Sequence, residues 1–347
     1  MKLEKTEKLL QKMMSDKDFD SYAVTVFKDK EKCFLHSDNV NRDTYFDIAS
    51  MGKVLVTSTL ILKAVSENKL SLSDTLGKFF DGIKDETKKN ITVKQLLSHS
   101  SGILRYDIPQ DIADKGNIEV AKFIIDTPLG FLPDTKEQYS CNGMLLLGFI
   151  LEKIYNSPLE ATFNEKLKKP LGYTRSKFNI SLNEPNAAVC YRSKDLNGLE
   201  HPFDDENIRV LKTSAGSGGQ FFTMHDLEIF ADAVMNKSEK LYSKELFDAA
   251  EKNYSKNSTE SRGLGWLYVN ENYKQTGRLF PIGSFGHCGH TGASMFFCRE
   301  KKLYVLILSN KTRFSNMKNN FKFYDYSETE KMRENLHNAI YDDLYSE

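Results

Sequence analysis

Ser50 and Lys53 stand three residues apart in Ser50-Met51-Gly52-Lys53, a spacing that puts a hydroxyl and an amine on one helical face. Such a pair can perform acyl transfer, the amine taking the proton that serine loses as it attacks a carbonyl. In water the amine is a poor base: with a reference pKa near 10.4, freeing it at pH 7 costs about 4.6 kcal/mol. Burial lowers that cost by disfavouring the ammonium. Val54, Leu55, Val56, Leu60, Ile61, Leu62, Ala64 and Val65 make the following segment apolar nearly all round, the pattern of a helix in the middle of a core.

The same S-x-x-K spacing recurs at Ser66 to Lys69 and at Ser315 to Lys318. Both lie in polar stretches that offer no dry environment to a lysine, which leaves Ser50 as the candidate nucleophile. Tyr139-Ser140-Cys141 and His287-Cys288-Gly289 add a phenol, thiols and an imidazole that fit the same active site. No G-x-S-x-G motif is present, which argues against a nucleophile elbow. The glycines at 216, 218 and 219 lack a strand–GxGxxG–helix context, so a nucleotide site is unsupported.

The elements that must position these groups follow from length and patterning. At 347 residues the chain exceeds what one hydrophobic core usually supports, so two subdomains around a cleft are expected. After an amphipathic first helix, residues 21–27 and 32–36 read as a strand hairpin. Residues from about 51 to 210 are mostly helical in pattern, with loops marked by Gly82, Pro109, Pro128, Pro133 and Pro185. A helix over about 225–235, strands over 294–298 and 303–308 and a closing helix over about 328–344 complete the chain. Strands at both chain ends imply one sheet built from the two termini, at 1–60 and 211–347, with a helical insertion at 61–210.

Lys plus Arg and Asp plus Glu balance at 48 each, leaving no net field for nucleic acid or anionic lipid, so neither nucleic acid nor membrane is an expected partner. The opening residues Met1-Lys2-Leu3-Glu4-Lys5 lack the apolar stretch of a signal peptide. The longest later apolar run, 144–151, falls short of a membrane span. Five cysteines without C-x-x-C spacing suit a reducing compartment, and a cytoplasmic location is the expectation.

With these residues in view, the chain resembles the serine β-lactamases and penicillin-binding proteins, specifically the class C-like branch with its esterases and D-amino-acid peptidases. Phe46-Asp47-Ile48-Ala49-Ser50 is similar to the lead-in to that family's nucleophile, and Ile91-Thr92-Val93-Lys94-Gln95-Leu96-Leu97-Ser98-His99-Ser100-Ser101-Gly102 to its segment before the helical domain. Tyr139-Ser140-Cys141-Asn142-Gly143 resembles the second motif and Gly286-His287-Cys288-Gly289-His290-Thr291-Gly292 the third. The resemblance implies an α+β fold, an antiparallel sheet flanked by helices with a mostly helical inserted subdomain. It implies an acyl-enzyme on Ser50, with Lys53 and Tyr139 shuttling the proton and the backbone N–H groups of Ser50 and His290 holding the oxyanion. The substrate would be a small ester, amide or β-lactam. No metal or organic cofactor is implied.

Two departures carry expectations. The family's usual Asn in the second motif is Cys141 here, and a thiol is a weak substitute for an amide as a substrate contact. The third motif opens with His287 where many β-lactamases carry Lys, so carboxylate-bearing substrates are expected to bind better below about pH 6.5, the reference value for histidine. Cys288 and Gly289 continue that substrate-binding strand, and Arg313 is a further candidate for a substrate carboxylate. A zinc site or a Cys141–Cys288 disulfide has no support beyond residue type. The competing readings are a weakly catalytic or non-catalytic ligand-binding member of the same fold, and a D,D-peptidase. The oligomeric state is open.

Overall fold

The computed structural model describes residues 1–181, 184–188, 206–213, 215–255, 261–312 and 326–346. In chain order its strands are β1 (Tyr22–Lys28), β2 (Glu31–His36), β3 (Tyr45–Asp47), β4 (Lys177–Phe178), β5 (Ala187–Ala188) and β6 (Gln220–Phe222). They continue as β7 (Ser261–Arg262), β8 (Leu267–Tyr268), β9 (Phe285–Cys288), β10 (Ser294–Cys298) and β11 (Leu303–Ser309). The main sheet has the order β2-β1-β11-β10-β9-β8-β7 and is antiparallel throughout. Its centre joins the two ends of the chain, with Val24 opposite Ile307 and Val26 opposite Val305.

Side chains alternate across this sheet, as the two-residue period of a strand requires. Val24, Val26, Val305 and Ile307 pack with Leu10, Leu336 and Ile340 of the terminal helices Glu4–Ser15 and Tyr326–Tyr345. Ala23, Leu306 and Leu308 face the larger core, with Phe230 of the Met224–Met235 helix. Both faces are therefore covered, and the layering is helix, sheet, helix. The α+β architecture expected from the sequence is the observed one.

A second sheet, β4-β6-β3-β5, draws strands from both sides of the expected boundaries at 60 and 210. It sets the nucleophile beside the glycine loop, because β3 runs into Ser50, β6 follows residues 215–219, and the two strands pair Phe46 with Phe222 and Asp47 with Phe221. The helical region contributes Thr59–Ser66, Val93–Leu97, Asn117–Asp126 and Cys141–Tyr155. One stretch, Ala49–Ser66, is long and apolar enough to cross a membrane, contrary to the expectation that no such run exists, but 78% of it is buried inside the fold. It is the core helix that the apolar residues after Lys53 called for.

That helix is not regular. A 3₁₀ turn spans Ala49–Met51 and a π-helical stretch spans Lys53–Ser58 before α-helix resumes at Thr59. Ala49 is held at φ +46°, a left-handed conformation that costs an L-residue free energy and recurs at functional turns. Beside it, Gly216 packs backbone to backbone on Gly148: a Cβ there would meet Met144 O and stand 3.1 Å from the Gly148 Cα. Gly216→Ala is expected to lower stability by about 1–3 kcal/mol through this overpacking, read as a reduced urea midpoint with unchanged slope.

Candidate active site

Ser50 sits at the bottom of a cleft of about 350 Å³ whose walls include Tyr139, Cys141, His287, Cys288 and His290. Gly289 lines it as well. Lys53 Nζ lies 2.9 Å from Ser50 Oγ and donates to the Ser217 carbonyl at 2.5 Å. Tyr139 Oη lies 2.7 Å from the same Ser50 oxygen. Three groups from segments far apart in sequence thus meet at one hydroxyl. Lys53 has no exposed surface, the condition under which an ammonium is disfavoured.

The other two S-x-x-K stretches stand apart from this arrangement. Ser66 turns its hydroxyl back onto Leu62 O, and Lys69 lies near Glu67 at 3.6 Å. Ser315 to Lys318, like the candidate Arg313, lie outside the described residues.

Tyr139 is placed by the turn that follows the capped helix Val93–Leu97. His99, at φ +57°, accepts the Gln138 N–H on its carbonyl at 2.9 Å and the Ser140 N–H on Nδ1 at 3.3 Å. Both neighbours of Tyr139 are therefore tied to one residue, and the His99 ring packs on the tyrosine ring at 5.0 Å. Ser140 then caps the Cys141–Tyr155 helix by accepting the Gly143 N–H. Burial pushes the Tyr139 phenol above its usual value, and the adjacent Lys53 opposes the shift. The phenol keeps its proton at neutral pH.

Within the second motif, Cys141 lines the cleft, whereas Asn142 is fully buried and donates to Tyr106 O at 3.2 Å. The thiol borders the cleft, and the neighbouring amide is turned away into the fold. Cys141 and Cys288 are not joined by a disulfide. Among the described residues no group of three or more His, Cys, Asp or Glu is arranged to hold a metal.

His287 requires a correction. Its ring is almost fully buried, and Nδ1 lies 2.9 Å from the Cys288 carbonyl, which can only accept. Nδ1 therefore carries the proton and the neutral ring leaves Nε2 as an acceptor. Burial, then the charges of Arg262 and Lys53, hold its pKa well below 6.5. The expected gain in carboxylate binding below pH 6.5 does not follow, since the imidazole stays neutral through that window. The cation in the cleft is instead Arg262, buried on β7 with its guanidinium 5.2 Å from the Tyr139 ring centre. Arg105, Arg333 and the carboxylate of Glu330 also line the cleft.

Four of these residues escaped the sequence reading: Ser217, His99, Arg262 and Arg333. Ser217 acts through a backbone carbonyl, and Arg262 and Arg333 carry no motif. His99 lies in the quoted segment 91–102, which was read only as a whole. Trp266 packs edge-on to Phe285 and Phe297 in the core.

The third-motif strand is locked to the nucleophile turn. Thr291 Oγ1 donates to Asp47 O at 2.8 Å, and a Cβ on Gly289 would meet Ile48 O and stand 3.2 Å from the Ala49 Cβ. The arrangement of amine, phenol and hydroxyl can relieve Ser50 of its proton as its oxygen attacks a carbonyl.

Two outcomes are expected. For a carboxylate-bearing substrate such as benzylpenicillin, KM should be flat between about pH 5.5 and 8, because His287 gains no proton there; a fall in KM toward the acid end would contradict this. Cys141→Asn should raise kcat/KM for an amide more than for an ester, by a contact of about 1–3 kcal/mol, and equal changes would remove the explanation.

Known proteins resemble this chain in sequence and in fold. A putative D-alanyl-D-alanine carboxypeptidase from Escherichia coli O157:H7 is 27% identical, with 77% of this chain and 69% of that protein covered. Its counterpart from Salmonella typhimurium (strain LT2) is 24% identical, covering 82% of this chain and 73% of that protein. The fold matches the octameric penicillin-binding protein homologue from Pyrococcus abyssi with a TM-score of 0.74 at 22% identity, over 99% of this chain and 77% of that one. It matches a β-lactamase/D-alanine carboxypeptidase from Pseudomonas syringae with a TM-score of 0.76 at 16% identity, over 99% of both chains. Residues 6–323 match the Beta-lactamase family, and the chain belongs to it.

Proposed function

We propose that the protein hydrolyses small, anionic esters or amides through an acyl-enzyme on Ser50. The observation that carries this is the placement of a buried amine at 2.9 Å and a phenol at 2.7 Å from one serine oxygen. Lys53 takes the Ser50 proton as Oγ bonds to the substrate carbonyl carbon. Negative charge on the carbonyl oxygen is met by the backbone N–H groups of Ser50 and His290. As the tetrahedral adduct collapses, Tyr139 gives its proton to the leaving amine or alcohol and recovers one from Lys53. Water then repeats the sequence in reverse and releases the acid. The raised phenol pKa supports the acid role, since Tyr139 holds a proton to give.

The anionic preference rests on Arg262 and Arg105 in the cleft wall. A substrate carboxylate fits there, as in β-lactams and in peptides that end in D-alanine, and the names of the Escherichia and Salmonella relatives favour the second class. Cys141 favours esters over amides within either class.

A fluorophosphonate should add one adduct, mapped to Ser50 by intact mass and peptide analysis, and Ser50→Ala should lose both labelling and turnover. Turnover that survives Ser50→Ala would end the proposal. Arg262→Ala is expected to raise KM about 10- to 100-fold for a carboxylate-bearing substrate, the range for hydrogen bonds to charged groups, and to leave KM for p-nitrophenyl acetate nearly unchanged. Equal effects on both substrates would remove Arg262 from carboxylate binding.

A further inference from the structure

The turn that carries His290 is gripped from behind by a residue of the C-terminal helix. Arg333 is 3% exposed. Its Nη2 donates to Gly289 O and, at 3.1 Å, to Ala293 O, while Nη1 donates to Gln275 Oε1 at 2.8 Å. The two carbonyls flank the turn on either side. They are also tied within it, because Gly289 N donates to Ala293 O at 2.8 Å and Gly292 N to Gly289 O at 3.2 Å.

The Gly289 carbonyl and the His290 N–H belong to one peptide group. That group is planar and trans, so its C=O and N–H point in opposite directions and move together. A cation fixed on the carbonyl oxygen therefore sets the direction of the N–H. It also draws electron density from the amide and strengthens the N–H as a donor, as linked hydrogen bonds do.

We infer that Arg333 is the positioning residue of the oxyanion site: it aims and polarises the His290 N–H through the Gly289 carbonyl. This rests on the assignment of His290 to the oxyanion under the proposed function. Its guanidinium is held by protein carbonyls, which separates it from a substrate-binding arginine although it borders the cleft. Beside this grip, β9 and β10 have their own backbone pairing from Phe285–Phe297 to Cys288–Ser294. The loss belongs in the transition state, where the carbonyl oxygen carries charge, more than in substrate binding.

The test compares Arg333→Met, Arg333→Lys and Ser50→Ala in the full-length protein with p-nitrophenyl acetate, which has no carboxylate. Arg333→Met should lower kcat about 10- to 100-fold, less than the roughly 10²- to 10³-fold cost of losing one oxyanion donor outright because the His290 N–H itself remains, with KM within about threefold. Affinity for phenylboronic acid, whose tetrahedral adduct on serine places an oxygen in the oxyanion site, should fall in parallel. Arg333→Lys, which keeps a cation able to reach one carbonyl, should recover part of kcat and guards against misfolding as the cause. Unchanged kcat and boronate affinity in Arg333→Met would overturn the inference. So would a rise in KM at constant kcat, which would make Arg333 a substrate-binding group. Should Ser50→Ala retain turnover, the proposed function itself fails; an inactive Ser50→Ala beside a fully active Arg333→Met sinks only the role of Arg333.

Discussion

One buried amine governs the structure. Burying an amine is costly unless its polar group finds partners, and Lys53 finds them in the Ser50 hydroxyl and the Ser217 carbonyl. The surroundings hold those two acceptors in place. Pairing of β3 with β6 brings the glycine loop to the nucleophile turn, and Thr57 Oγ1 donates to Gly216 O at 2.7 Å. The π-helical stretch starts at Lys53 itself, and Thr59 Oγ1 satisfies the Val54 carbonyl at 2.7 Å. Irregular helix of this kind often marks functional positions.

Around that centre the charges are unevenly distributed. His99 and His287 flank the Tyr139 ring at 5.0 and 6.3 Å. Burial, followed by the positive charge of Arg262, holds both imidazoles well below their usual pKa. They serve as neutral spacers with fixed hydrogen-bond directions. Permanent charge comes from arginine, whose guanidinium does not titrate in the accessible range. The permanent charges bordering the cleft thus sit on residues other than the amine beside the nucleophile.

The sequence revealed those parts of the site that depend on side-chain type at fixed spacing. Ser50 and Lys53 were legible because a hydroxyl and an amine share a turn ahead of an apolar helix, and Tyr139 because its motif follows in order. The central strands were legible from their period, and Val24 and Ile307 do pair in one sheet. Ser217 was not legible, since any residue has a carbonyl. β7 and β8 are two residues each, too short for a period, so Arg262 had no element to sit on. The neutral state of His287 depends on burial and on the Cys288 carbonyl, neither visible in residue type. Arg333 lies on a helix whose periodicity was read, but its contact with a turn 40 residues upstream is tertiary.

The central pairing of β1 with β11 has a kinetic corollary. Ribosomes deliver the nucleophile segment early, yet β1 must wait for β11 before it gains its second neighbour. Closing so long a loop is entropically costly and slow compared with local helix formation. During synthesis the helical region therefore has time to condense while an unpaired edge of β1 stays open to chaperones or to other nascent chains, and hydrolytic competence arrives only with the last strands.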